Sequence, residues 1–169
     1  MSYRNKTYVI FDGDNDMWAY KYMRGWKSNY RIDFNFHDAH DLLPLTSRAI
    51  DESYIKSRLW DRFKSAKQVI IIIGESTKYL RKYVKWEIEV ALSLNLPIIA
   101  VNLNNIKGQD NTRVPVILRD EYVVHIPFKA KIIKYALDNF PHEFEKRNPW
   151  DKGPRYYPET VYRNLGLIM

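Results

Sequence analysis

Residues 68–74 read QVIIIIG and residues 96–103 read LPIIAVNL. Both runs are apolar almost throughout instead of alternating with polar residues. A strand with one face in water shows alternation, whereas a strand covered on both faces does not. Two such strands predict a parallel sheet sandwiched between helical layers. Three further runs bounded by turn residues read as strands: TYVIF (7–11), RIDFNF (31–36) and YVVHIPF (122–128). Between the five lie helical patterns over Asp16 to Trp26, Asp51 to Ser65, Thr77 to Ser93 and Lys129 to Asn139. Strands alternating with helices imply right-handed crossovers and a flavodoxin-like three-layer α/β sandwich with a five-stranded parallel sheet. Two longer connections, His37 to Ile50 and Asn104 to Asp120, interrupt the alternation.

Composition narrows the chemistry. Of 169 residues, 46% are hydrophobic and 28% charged, the balance of a globular protein with one good core. With no cysteine, there is no disulfide framework, thiol nucleophile or cysteine-held zinc. MSYRNKTYVIF at the N-terminus is too short an apolar run for a signal peptide. No stretch approaches the roughly 20 apolar residues of a membrane span. A cytoplasmic protein with no membrane partner is the expectation. The net charge of +7 is spread along the chain, with one small cluster at Lys78, Arg81, Lys82 and Lys85. No nucleic-acid-binding signature interleaves these with aromatics, so the cluster reads as a solvated helix face and no nucleic-acid partner is expected. From Phe140 the chain turns rich in proline and tyrosine. This gives a domain over 1–139 and an extension over 140–169 packed on it, closing with a short helix after Pro158.

The segment KYVKWEIEVAL (82–92) raises the functional question. Placed at about 100° per residue, Tyr83, Val84, Ile88, Val90, Ala91 and Leu92 share one apolar arc with Leu80. Glu87 falls inside that arc and Glu89 opposite it, among lysines. A carboxylate on the sheet-facing side must be hydrogen-bonded, neutralised or open to a cavity. The plain alternative is that Glu87 reaches water at the arc's edge or pairs with Arg81. Asp12, Asp14 and Asp16 follow the first strand at a spacing that suits a divalent cation. An EF-hand loop is incompatible with them, because its sixth and twelfth positions are Met17 and Met23. A helix N-terminus capped by Asp14 or Asn15 explains the same acids. In GESTKYL (74–80), Ser76 or Thr77 is the expected cap, with free N–H groups forming an anion seat. HDAHD (37–41) has no established metal spacing and reads as a loop.

GESTKYLRKYVKWEIEVAL after an aliphatic strand resembles the third strand and following helix of TIR domains. There a serine-rich turn precedes a W-x-x-x-E or WE-I element bearing the catalytic glutamate. YVIFDGDND is similar to the first TIR box, an apolar strand and a loop ending in an aspartate, here Asp16. It departs from the box at Phe11, where serine is usual. Over roughly residues 6 to 138 the chain resembles most the TIR-like family that includes the Thoeris antiphage component ThsB. The resemblance implies an enzyme with no cofactor. NAD would be its substrate, cleaved between nicotinamide and ribose with Glu87 catalytic. It also implies Phe11, Asp12 and Gly13 at the rim of the ligand cleft and Asp38 opposite, with Ser76 and Thr77 near phosphates or ribose. Tyr83 and Trp86 would stand beside Glu87, Trp86 also suiting an interface. Product would be ADP-ribose or a cyclic relative, signalling to a separate effector protein, with self-association completing the site. Two alternatives remain open: a catalytically silent TIR-like interaction module, and a metal-dependent nuclease of the NYN/PIN class, whose opening motif IFDGDN resembles.

Overall fold

A computed structural model describes residues 7–28, 36–38, 51–80 and 83–168. Five strands form one sheet: β1 (Thr7–Ile10), β2 (Phe36–Asp38), β3 (Gln68–Ile73), β4 (Ile98–Asn102) and β5 (Val124–Pro127). Their spatial order is β2-β1-β3-β4-β5, and every neighbouring pair is parallel. β2 is a three-residue edge strand beside four longer ones. The sequence places it at 31–36, but only Phe36 of that span is in the strand and 31–35 lie outside the described residues. The helices are α1 (Met17–Ser28), α2 (Glu52–Phe63), α3 (Val84–Ser93), α4 (Ala130–Lys146) and α5 (Glu159–Asn164). The fold is the flavodoxin-like α/β class expected. Among the described residues no helix is long and apolar enough to cross a membrane.

The unbroken apolar runs divide by the twofold alternation of strand side chains. Val9, Ile70, Ile72, Ile99, Val101 and Ile126 join Ala19, Tyr20 and Met23 of α1 and Ile132, Ile133 and Leu137 of α4. Tyr8, Ile10, Val69, Ile71, Ile73 and Ala100 face the opposite layer, with Ile55, Leu59 and Phe63 of α2 and Val84, Ile88 and Ala91 of α3. At roughly 1.5–3 kcal/mol for each fully buried large side chain, these two layers supply the main stabilising term.

Two helical expectations need correction. The helix expected over 77–93 is broken. A 3-10 turn spans Thr77–Tyr79, Leu80 takes the left-handed conformation with φ 54°, and α3 starts only at Val84. The break arises because the Thr77 hydroxyl serves the strand instead of capping a helix: it accepts from the Gly74 N–H at 2.8 Å and donates to the Ile72 carbonyl at 3.3 Å. The second concerns Asn139, expected to end a helix. α4 runs on through Pro141 to Lys146. Proline in a helix interior costs about 3 kcal/mol. Here Phe140 and Phe144, four apart, continue the buried stripe and offset it.

The boundary expected between 139 and 140 therefore falls inside α4. Beyond that helix, the chain lies along the free edge of β5. The Arg155 N–H donates to Val123 O at 2.7 Å and the His125 N–H to Arg155 O at 2.9 Å. This one-residue parallel bridge covers part of an otherwise exposed strand edge. Tyr157 and Tyr162 then enter the core on the α1/α4 side.

Candidate functional site

The strand order reverses between β1 and β3, and in such sheets ligands bind outside the carboxyl ends of the strands at that point. The loops there are joined by a hydrogen-bonded latch. The Ser76 hydroxyl donates to Asp12 Oδ2 at 2.7 Å. The Asn15 amide donates to the same oxygen and to Ser76 Oγ, both at 3.0 Å. The Asp14 N–H donates to Asp12 Oδ1 at 3.0 Å. Asp12 is thus 2% exposed and acts as the hub of the β1 and β3 loops. Its oxygens accept these hydrogen bonds among the described residues, which contain no group of three or more metal-type ligands. This geometry serves loop positioning.

Asp16 precedes α1, and its carboxylate lies against Gly74. A β-carbon at residue 74 would stand 2.6 Å from Asp16 Oδ1 and closer to Oδ2. The Thr77 hydroxyl approaches Oδ2 at 3.5 Å. Burial, and then the nearby Asp12 carboxylate, push the Asp16 pKa up to about 6.

Around these residues opens a cleft of about 570 Å³. Asn15, Asp16 and Trp18 come from the β1 loop and α1, and Gly74, Glu75 and Ser76 from the β3 loop. Leu103, Asn104 and Arg113 close it from beyond β4. The last loop is firmly held. The Asn102 amide donates to the carbonyls of Ile106 at 2.9 Å and Gly108 at 2.8 Å, and Asp110 accepts from the Thr112 N–H at 2.9 Å. Arg113 pairs with Glu75 at 3.4 Å and Asp110 at 3.9 Å.

Glu87 is 1% exposed in the first turn of α3, and both its carboxylate oxygens are shielded from solvent. Glu89 faces outward and bridges the two helices of its layer, with Lys56 of α2 at 2.7 Å and Lys85 at 4.0 Å. Its main partner belongs to a neighbouring helix, which a helical wheel cannot show. Tyr83 and Trp86 are half-buried with ring centroids 5.2 Å apart. Glu87, Tyr83 and Trp86 do not line the 570 Å³ cleft, which opens on the α1 side of the sheet while α3 belongs to the opposite layer.

Of the residues expected at the site, Ser76 lines the cleft, and Asp12 and Thr77 are buried behind it. Gly13 is in the turn between β1 and α1. Phe11 is not at a rim. It is fully buried and stacked on Tyr20 at 5.0 Å, because the strand's alternation carries it into the α1 layer. Asp38 ends β2, level with Val9 of β1, and its side chain lies outside the described residues. So do Arg81, Lys82 and residues 39–41 of HDAHD. Sequence reasoning missed Asn15, Trp18, Gly74, Asn104 and Arg113. Only Gly74, a glycine directly after a buried strand, carries a local signal of close approach.

These features define a flavodoxin-like α/β protein with a polar cleft at the carboxyl edge and a buried carboxylate at the start of the helix after β3. The profile of the Thoeris protein ThsB, TIR-like domain, matches residues 8–108, and the chain belongs to that family. No curated protein matches it significantly.

Proposed function

We propose that this TIR-like protein cleaves NAD at the bond between nicotinamide and ribose, in antiphage defence, with Glu87 as the catalytic group. The observation that carries this reading is the burial of Glu87 at the N-terminal turn of α3. The helix dipole favours a negative charge there, and shielding from water strengthens its action on a positive charge that develops nearby. The leaving nicotinamide is a pyridinium that departs neutral, so its departure needs no general acid. Ordinary glycoside hydrolysis needs two carboxylates; here one suffices. Glu87 would accept hydrogen bonds from the ribose hydroxyls and stabilise the oxocarbenium-like sugar. Capture by water yields ADP-ribose, and capture by another group of the same molecule yields a cyclic nucleotide. Such a diffusible product suits a separate effector protein, and self-association would complete the site. The test is incubation of the concentrated protein with NAD, followed by chromatography for nicotinamide. Release that disappears in Glu87→Gln supports the proposal; equal release by that variant refutes it.

One observation favours a second reading, a TIR-like interaction module without chemistry: Glu87 lies outside the 570 Å³ cleft. Absence of nicotinamide release under every assembly condition would select it.

A further inference from the structure

Asp16 is placed unlike an ordinary capping aspartate. It is 5% exposed, lines the cleft, and has at Oδ2 only the Thr77 hydroxyl at 3.5 Å, whose one proton is shared with the nearer Ile72 carbonyl. Its Oδ1 has no donor among the described residues. The glycine at 74 makes room for this carboxylate, since any side chain there would displace it. A buried carboxylate that lines a cavity and has so few donors stands ready for a ligand.

The other walls indicate which ligand. Trp18 lines the same cleft at 47% exposure, its ring steadied by edge contacts with Tyr22 at 6.0 Å and Phe128 at 5.8 Å. Arg113, the basic residue among the described lining, is already paired with Glu75 and Asp110. Asp16 has no ion pair among the described residues. An aromatic face beside a carboxylate attracts a cation through the ring quadrupole and through charge together. A volume of about 570 Å³ suits a small organic molecule. We propose that this cleft is a binding site for a planar organic cation, held between the Trp18 ring and the Asp16 carboxylate. The site is separate from Glu87, and its occupancy does not depend on NAD cleavage.

The experiment uses the full chain carrying Glu87→Gln, so that nothing is consumed, with 1-methylnicotinamide as the cationic probe and nicotinamide as its neutral control. Calorimetry gives affinity, and the Trp18 indole resonance, assigned by its loss in Trp18→Ala, reports location. The cation is expected to bind about tenfold more tightly than the neutral control, from cation–π and charge attraction together. Binding weakens by a similar factor in Trp18→Ala and in the isosteric Asp16→Asn. It strengthens from pH 5 to 7 as Asp16, with a pKa near 6 among Asp12, Glu75, Arg113 and Thr77, ionises. Equal binding of both probes, binding that survives both substitutions, or equal displacement by calcium chloride would overturn the proposal. Competition by NAD but not by its reduced form supports it with the dinucleotide's pyridinium end as the source. Competition by neither supports it with a free cation. If Glu87→Gln retains NAD cleavage while the probe still binds, the catalytic reading fails and this one stands.

Discussion

The carboxylate of Asp16 occupies the space a side chain at residue 74 would need, so Gly74 and Asp16 are coupled across the ends of β3 and β1. Gly74→Ala is expected to destabilise the protein by about 1–3 kcal/mol, the usual cost of overpacking. Asp16→Ala removes the opposing atoms, so the double variant should recover much of that loss. Denaturant unfolding of the four proteins in a double-mutant cycle measures the coupling. Additive effects would mean that the two residues do not meet.

Glu87→Gln changes charge but little shape. Its folding stability should stay within about 1.5 kcal/mol of wild type. Nicotinamide release should fall by at least about 10²-fold, the scale on which removal of one electrostatic stabiliser acts. Chromatography at matched protein concentration tests this.

Ser76→Ala removes the 2.7 Å bond to Asp12. The loss is expected to be about 1–3 kcal/mol, as for hydrogen bonds to a charged group, reduced by the partial exposure of Ser76. Chemical denaturation measures it, and faster hydrogen exchange at residues 12–16 would locate it.

His125 is fully buried in β5, and its ring nitrogens have no hydrogen-bond partner among the described residues. Burial depresses its pKa from 6.5 to about 4. The unfolded chain then takes up a proton first as pH falls. Stability is complete above about pH 6.5 and declines toward pH 4, by up to about 3 kcal/mol. Asp16 acts oppositely: its raised pKa makes the native state hold its proton longer, so its contribution falls as pH rises from 3.8 to about 6. The stability difference between wild type and His125→Leu across pH 4–7 isolates the histidine. A constant difference would sink this account.

Tyr162 is 1% exposed in the core on the α1/α4 side. Tyr162→Ala should cost about 3–5 kcal/mol, comparable to other buried aromatics. Truncation after Arg147 removes Tyr157 as well, together with the cover of β5, and should prevent stable folding. Circular dichroism melts check both, and a truncated protein melting like wild type would show the extension to be an accessory.

What could be read from the chain alone were properties local in sequence. Nearly continuous apolar runs at 68–74 and 96–103 marked strands buried on both faces, and the turn spacing between runs marked the crossovers. The helical wheel turned Glu87 inward and Glu89 outward, because side-chain direction within a helix follows from residue spacing. The same wheel failed upstream at Leu80, where the Thr77 hydroxyl is drawn to the end of β3. The pattern that ended a helix at Asn139 likewise did not foresee Phe140 and Phe144 carrying α4 past a proline, since the gain comes from a core made by other segments. The Asp12–Ser76–Asn15 latch joins residues more than sixty positions apart. Trp18 of α1 and Arg113 of the loop beyond β4 line one cleft, with no spacing to announce them. Patterning along the chain determines which side of each element is buried. Only the closing of the sheet determines which distant side chains share a cavity.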